Sequence, residues 1–163
     1  MKKGSFAWPG GKRIAVAVTV MFETWSEGKG PPYSVQATGL KPGTVDRAGI
    51  AWATYGGKVG VWRIINLLSQ NNVRGTFCTN AACAERYPEA VAQIVRSGHE
   101  IAGHAYVQDE LLAYLEPDQE KATIHRCLDL LDNVNGRCGR GGLLFTSQIS
   151  MARWRVNAIE ICA

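Results

Sequence analysis

The feature that most constrains the fold of this chain is an uncharged, β-branched run at residues 14–22, IAVAVTVMF. A run without polar alternation is typical of a central parallel strand that is buried on both faces. Shorter runs predict two further strands at residues 74–79 and 99–104. Apolar residues at helical spacing predict the intervening and following helices at residues 58–70, 81–96 and 117–133. Strands that alternate with helices indicate parallel βαβ units, so we expect an α/β fold.

Composition narrows the class of protein. The length of 163 residues and the 46% hydrophobic content indicate one domain with a sizeable core. No apolar run reaches the roughly 18 residues of a transmembrane helix, and the start, MKKGSFAWPGGKR, has no apolar segment behind its lysines. We therefore expect a cytoplasmic protein with no membrane partner. The five cysteines are odd in number and form no CxxC pair, which favours reduced, mostly buried thiols.

The net charge of +4 is unevenly distributed. Residues 1–133 contain 14 basic and 13 acidic side chains, whereas residues 134–163 contain four arginines and one glutamate. A nucleic-acid-binding domain usually concentrates basic residues on one folded face. Because the excess here lies in the terminal segment, we expect no nucleic-acid partner.

The segment at residues 28–55 is rich in Gly, Pro, Thr and Tyr and predicts a long loop. A long structureless connection is often functional, and a plain surface excursion is the alternative. Four aromatic residues in or beside it are candidates for lining a pocket, with simple packing as the alternative: Trp25, Tyr33, Trp52 and Tyr55.

Two polar residues follow predicted strands at their carboxyl ends. Glu23 comes directly after the first strand, and His104 ends the third. Carboxyl ends of parallel strands converge on one side of a sheet, so we expect the two side chains to share a water molecule or a ligand. Histidine can bind a metal or transfer protons. The alternatives are a solvated acid and a histidine that only hydrogen-bonds within its loop.

The segment at residues 74–106, RGTFCTNAACAERYPEAVAQIVRSGHEIAGHAY, resembles the first half of a polysaccharide deacetylase. The family, which has NodB homology and is carbohydrate esterase family 4, has a "TFF-N" strand, a helix with "YPE", and then "GHEI-NH-Y-H". The resemblance covers roughly residues 10–133 and is greater to the branch of allantoinases and peptidoglycan-deacetylase-like proteins. It implies a partial, irregular (β/α) barrel with flanking helices. It also implies hydrolysis of a non-peptide C–N bond in a small-molecule or sugar amide.

The resemblance also implies a site, from which this sequence departs. Family members bind zinc or a similar cation through Asp-His-His and use a second Asp as the base. Glu23 matches the metal-binding acid, the base position falls at Met21, and His104 matches the first histidine. The second histidine position is Gln108, a poor zinc ligand, and Asp109 and Glu110 lie near it as alternative ligands.

The resemblance therefore implies that Glu23 and His104 are the catalytic residues. It implies that the metal ligands are Glu23, His104 and Gln108. Trp25 and Tyr106 are expected to bind substrate. We expect weak or no zinc binding, because the amide of Gln108 is neutral.

The later motifs of the family, including its final histidine, are absent. We expect a deacetylase-like domain at residues 1–135 and an atypical tail at residues 136–163, produced by a frameshift or a truncation. We expect that tail to pack poorly and to leave a strand edge exposed, which favours a homo-oligomer. Two functions remain open: a C–N hydrolase, and a non-catalytic remnant or interaction domain.

Overall fold

The computed structural model of the chain describes residues 8–32 and 39–135. The strands are β1 (Thr19–Phe22), β2 (Thr76–Thr79) and β3 (Glu100–Gly103). The α-helices are α1 (Arg47–Tyr55), α2 (Val61–Gln70), α3 (Ala82–Arg86), α4 (Pro88–Arg96) and α5 (Pro117–Asn135). A π-helical turn, Gly56–Gly60, joins α1 to α2. Short 3-10 turns lie at Pro9–Gly11 and Leu112–Tyr114.

The three strands form one parallel sheet in the order β1-β2-β3. Phe22 pairs with Thr79, and Thr79 pairs with Gly103, so the carboxyl ends of all three strands are level. This confirms the predicted α/β class and the predicted parallel pairing. Because the ends are level, the residues that follow β1 and β3 are brought to the same edge of the sheet.

The first strand is shorter and less buried than predicted. Of the run at residues 14–22, only Thr19–Phe22 pairs with β2, and β1 lies at an edge of the described sheet. Ile14 and Val16 are 78% and 84% exposed, so the prediction of a central strand buried on both faces was wrong. The partner strand β2 begins only at Thr76, which pairs with Thr19. The residues of the run before Thr19 therefore have no β2 residue with which to pair. A β-branched run indicates extended structure but does not specify how many neighbours it will have.

The first helical region begins earlier than predicted. The segment 28–55 is not a loop throughout, because α1 occupies Arg47–Tyr55. Asp46 caps that helix by accepting a hydrogen bond from the backbone N–H of Gly49 at 2.7 Å. α2 ends near the predicted boundary, where Asn72 adopts a φ of 53°.

The helix predicted at residues 81–96 is divided into α3 and α4. Tyr87 lies between them with a φ of −135°, outside the helical region. Pro88 explains the break, because its ring disfavours helical geometry in the residue before it. α4 then ends at Arg96, and Gly98 makes the predicted turn with a φ of 76°.

The core lies between the sheet and the helices α2 and α4, and α5 packs against α3 and α4. Phe77 in β2 and Ile94 in α4 are fully buried at its centre. Three cysteines are free and buried, as predicted: Cys78, Cys83 and Cys127. Burial raises the pKa of the Cys83 and Cys127 thiols to about 12, so both stay protonated. The other two cysteines lie outside the described residues.

The predicted tail at residues 136–163 also lies outside the described residues, so the domain boundary at residue 135 stays a prediction. Within residues 8–32 and 39–135, none of the helices has both the length and the hydropathy that crossing a membrane would require.

We predict that stability falls with acidification through His99. Its side chain is 7% exposed, and its Nδ1 accepts a hydrogen bond from the N–H of Gly75 at 3.2 Å. Burial, and then the charge of Arg74, lower the pKa of His99 from its ordinary value of 6.5. The unfolded chain therefore takes up a proton near that value while the folded chain does not, so stability is lost as the pH falls below it. Urea unfolding at pH 7.5, 6.5 and 5.5 measures the slope.

The control for this prediction is the exposed His125, one of only three histidines. His99→Asn, which retains an acceptor, should flatten the pH dependence between pH 7.5 and 5.5, whereas His125→Asn should leave it unchanged. Equal slopes in wild type and His99→Asn would contradict the assignment.

Candidate active site

Glu23 and His104 meet at the carboxyl edge of the sheet. Glu23 follows β1, His104 follows β3, and the His104 Nε2 atom lies 3.3 Å from the Glu23 Oε1 atom. Both side chains are largely buried, with 19% of Glu23 and 14% of His104 exposed. The predicted convergence of the two residues is confirmed, and their chemical roles remain to be argued.

Gln108 is the third member of this group. Its side-chain Nε2 donates a hydrogen bond to Glu23 Oε1 at 2.9 Å. Its backbone N–H donates to the carbonyl of Thr24 at 2.9 Å, which connects the loop after β3 to the loop after β1. The Oε1 atom of Glu23 therefore contacts both Gln108 and His104. The other carboxylate oxygen, Oε2, makes neither of these contacts.

Two residues that we did not single out from the sequence hold these loops in place. Asn80, which is fully buried, accepts a hydrogen bond from the Thr24 N–H at 2.9 Å and donates to the carbonyl of His104. Arg86 donates to the Thr24 hydroxyl at 2.8 Å and to the carbonyl of Trp25. The available signal was a polar residue, Asn80, directly after a buried strand.

The backbone after His104 is in an unfavourable conformation. Ala105 has a φ of 58°, a region that costs a residue with a Cβ about 1–2 kcal/mol. Its carbonyl accepts a hydrogen bond from the N–H of Ala81 at 2.9 Å, which helps to hold it there. A residue keeps such a conformation only where the surrounding structure holds it, and residues of this kind are found mainly at functional sites.

The side chains beside Glu23 and His104 do not form the set of metal ligands that the resemblance implies. The side-chain N–H of Gln108 is directed at Glu23, so this amide serves as a donor to the carboxylate. Asp109, a possible substitute ligand, instead accepts from the Ser26 N–H at 2.7 Å and from Lys29 Nζ at 3.0 Å. In the described part of the chain, no three or more His, Cys, Asp or Glu residues are grouped to hold a metal ion.

The role of Asp109 is to attach the loop after β1. Burial raises the pKa of its carboxyl, but the hydrogen bonds from Ser26 and Lys29 outweigh burial and hold the pKa below its ordinary value. Asp109 therefore remains a carboxylate that is committed to these two partners. Glu110, the other possible substitute, is exposed.

A cleft of about 320 Å³ borders Glu23. Its walls include three of the aromatic residues named from the sequence: Trp25, Trp52 and Tyr55. Tyr33 lies outside the described residues. Trp25 is 8% exposed, so its indole is largely packed within the wall. Of the two alternatives that the sequence left open, Trp52 and Tyr55 fit pocket lining, because they border the cleft and are 57% and 44% exposed, whereas Trp25 borders the cleft and is also packed.

Tyr106 is placed elsewhere. Its hydroxyl donates to Glu85 at 2.7 Å and accepts from Arg126 at 2.8 Å. The Arg126 guanidinium also lies over the Tyr106 ring, 4.1 Å from its centre. These contacts connect α3 to α5, and Tyr106 is not among the residues that line the cleft. Its assignment to substrate binding stays a prediction without geometric support.

The sequence profile described as "Polysaccharide deacetylase" matches residues 52–144, which is more than half of the chain. The chain belongs to the polysaccharide deacetylase family. A peptidoglycan deacetylase from Helicobacter pylori is 24% identical over 92 residues, which are 56% of this chain and 31% of that protein. The chain therefore spans about a third of the length of this curated relative.

Solved structures support the fold of this family member. A probable polysaccharide deacetylase from Pseudomonas aeruginosa PAO1 is 27% identical with a TM-score of 0.65, over 80% of this chain and 46% of that one. The Puue allantoinase is 23% identical with a TM-score of 0.71, over 90% of this chain and 51% of that one, and shows likeness of fold alone. The partial barrel expected from the sequence agrees with both.

We predict weak zinc binding by the wild-type chain and stronger binding by Gln108→His. The substitution would place a second imidazole beside Glu23 and His104 and so supply a third metal-binding side chain. Calorimetric titration at pH 7.5 should show an affinity gain of about tenfold or more, or ~1.4 kcal/mol. Gln119→His, on the exposed start of α5, is the matched control and should gain nothing. Tight, stoichiometric zinc binding by the wild type would show this reading of the donor set to be wrong.

Proposed function

We propose that this chain hydrolyses the C–N bond of an N-acetyl group on a sugar, with Glu23 and His104 as its reacting pair. The observation that carries the proposal is the 3.3 Å separation of Glu23 Oε1 and His104 Nε2 at the carboxyl edge of the sheet. Family membership, and the relative from Helicobacter pylori that is a peptidoglycan deacetylase, support the reaction type.

In this mechanism, Glu23 acts as the general base. His104 and Gln108 hold its Oε1, and the carboxylate removes a proton from water as the water oxygen attacks the amide carbonyl carbon. The proton passes through His104 to the amide nitrogen, the C–N bond breaks, and acetic acid and the amine leave, which then ionise to acetate and the ammonium form of the amine. No step is assigned to a metal, because the donor set does not fit one.

The cleft beside Glu23 supports a ring-shaped substrate. Its volume of about 320 Å³ lies in the usual range for small-ligand sites. Trp52 and Tyr55, which are 57% and 44% exposed, offer apolar surfaces, and the apolar face of a sugar ring can pack on such surfaces. An amide attached to that ring would then lie near Glu23, the charged residue of the cleft wall.

The test is acetate release from N-acetylglucosamine oligomers and from peptidoglycan fragments, with allantoin hydrolysis measured in parallel. Each assay is run with a chelator and with added zinc. We expect acetate release that persists in the chelator. Absence of hydrolysis would reject the reaction, activity only with added zinc would reject the metal-free mechanism, and cleavage of allantoin alone would reject the sugar substrate.

A non-catalytic interaction domain is the second candidate, and the exposed apolar residues at and before β1 favour it. Ile14, Val16 and Met21 are 78%, 84% and 49% exposed, and residues 14–22 contain no charged residue or proline of the kind that protects strand edges. Under this function, light scattering should show self-association that Val16→Lys reduces, together with no hydrolysis. A monomeric wild type would exclude self-association through this edge.

A further inference from the structure

Asn80 connects the two segments that carry the candidate reacting pair. It follows β2, the middle strand, and its backbone N–H donates to the carbonyl of Phe22 at 3.1 Å. On the β1 side, its Oδ1 accepts from the Thr24 N–H at 2.9 Å, directly after Glu23. On the β3 side, its Nδ2 donates to the carbonyl of His104 itself. One fully buried side chain therefore contacts the backbone beside both reacting groups.

Asparagine is the residue type that these contacts require. The Thr24 N–H can only donate and the His104 carbonyl can only accept, so the bridging group must present an acceptor to one and a donor to the other. Aspartate of the same size has no donor when ionised, and leucine has neither group. The two partners also show which atom of the Asn80 amide is the oxygen, because the oxygen must face the Thr24 N–H and the nitrogen must face the His104 carbonyl.

The position of Thr24 is transmitted directly to Glu23, its neighbour in the chain. Thr24 is 6% exposed and is held on three sides: by Asn80 at its N–H, by Arg86 at its hydroxyl and by the Gln108 N–H at its carbonyl. Removal of the Asn80 amide would leave the Thr24 N–H and the His104 carbonyl without this partner in a buried setting. The two loops would then move relative to one another to recover hydrogen bonds.

We propose that Asn80 is a positioning residue that sets the separation of Glu23 and His104. The effect of Asn80 on the separation of the two side chains does not depend on whether the chain is an enzyme. Its effect on the reaction rate rests on the proposed hydrolase function. A displacement of about 1 Å between reacting groups can cost up to ~100-fold in rate, so a bridge between the two loops has a large effect on catalysis.

The test measures the contact between Glu23 and His104 by NMR of imidazole-labelled protein. The chain has three histidines, so His99 and His125 are internal controls. In the wild type, Glu23→Gln should shift the ring signals of His104. In Asn80→Asp, which keeps the shape and the acceptor but removes the donor, that response should fall to roughly half or less, as expected for coupled sites. Asn80→Ala should show the same loss.

The matched control is Thr79→Val, which is buried beside Asn80 and loses one hydrogen bond, from Thr79 Oγ1 to the Phe77 carbonyl. It should leave the His104 response intact. An undiminished response in folded Asn80→Asp would overturn the proposal. Failure of both Asn80 variants to fold would assign Asn80 to stability alone and would overturn it too.

Kinetics separate this inference from the proposed function. If the chain is a hydrolase, Asn80→Asp should lower kcat about 10- to 100-fold with little change in KM, because the reacting groups and not the substrate are misplaced. If the wild type has no activity, the proposed function fails while the NMR response still decides the positioning role. A raised KM with unchanged kcat would contradict positioning.

Discussion

Glu23→Gln should lower the rate of amide hydrolysis by about 100-fold or more without unfolding the protein. The amide has the size of the carboxylate and can still accept the hydrogen bond from Gln108. It cannot remove a proton from water, so only the base function is lost. Acetate release under saturating substrate measures kcat, and circular dichroism with thermal melting measures the fold.

Glu27→Gln provides the control for this substitution. Glu27 is exposed and belongs to the same loop, so its loss of charge should leave kcat within about twofold. Glu23→Gln with wild-type kcat would mean that another group is the base, and the 3.3 Å contact with His104 would then have a structural role.

Phe77→Ala should destabilise the fold by about 3–5 kcal/mol. Phe77 is fully buried in β2, within the cluster that includes Ile65 and Ile94, and its ring centre lies 5.3 Å from that of His99. Truncation would leave a cavity in the middle of the sheet. Small domains have a total stability of about 5–15 kcal/mol, so a large share would be lost. The midpoint of urea unfolding measures the change.

Leu67→Ala is the comparison for this prediction. Leu67 lies on α2 and is 59% exposed, and its truncation should change stability by less than about 0.5 kcal/mol. Similar losses in the two variants would mean that burial in the cluster around Phe77 does not determine stability.

The sequence predicted those elements whose signals are local. β2, β3 and α5 were placed within about two residues, because each has its own apolar pattern and ends at a clear turn such as Gly98. The break at Pro88 was also a local signal, and it was overlooked because the apolar spacing continues on either side of it. α1 was missed because its glycine and aromatic content suggested a loop, although Asp46 is a recognisable cap.

Features that depend on distant partners could not be predicted in the same way. The convergence of Glu23 and His104 followed from a general property of parallel sheets. The hydrogen bonds of Asn80 join residues 56 and 24 positions apart, and no spacing in the sequence shows them. The exposure of Ile14 and Val16 likewise depends on which strands lie beside β1, which composition does not specify.

The register of the sheet has a consequence for the order in which the molecule folds. β2 pairs with β3 across 24 residues, from Thr76 to Glu100, whereas β1 pairs with β2 across 57, from Thr19 to Thr76. Closing the longer loop costs ~0.8 kcal/mol more in chain entropy. We therefore expect the β2–β3 unit to form first and β1 to join it last. Because β1 leads directly into Glu23, the candidate reacting pair is assembled in the final step of folding and is separated first when the chain opens.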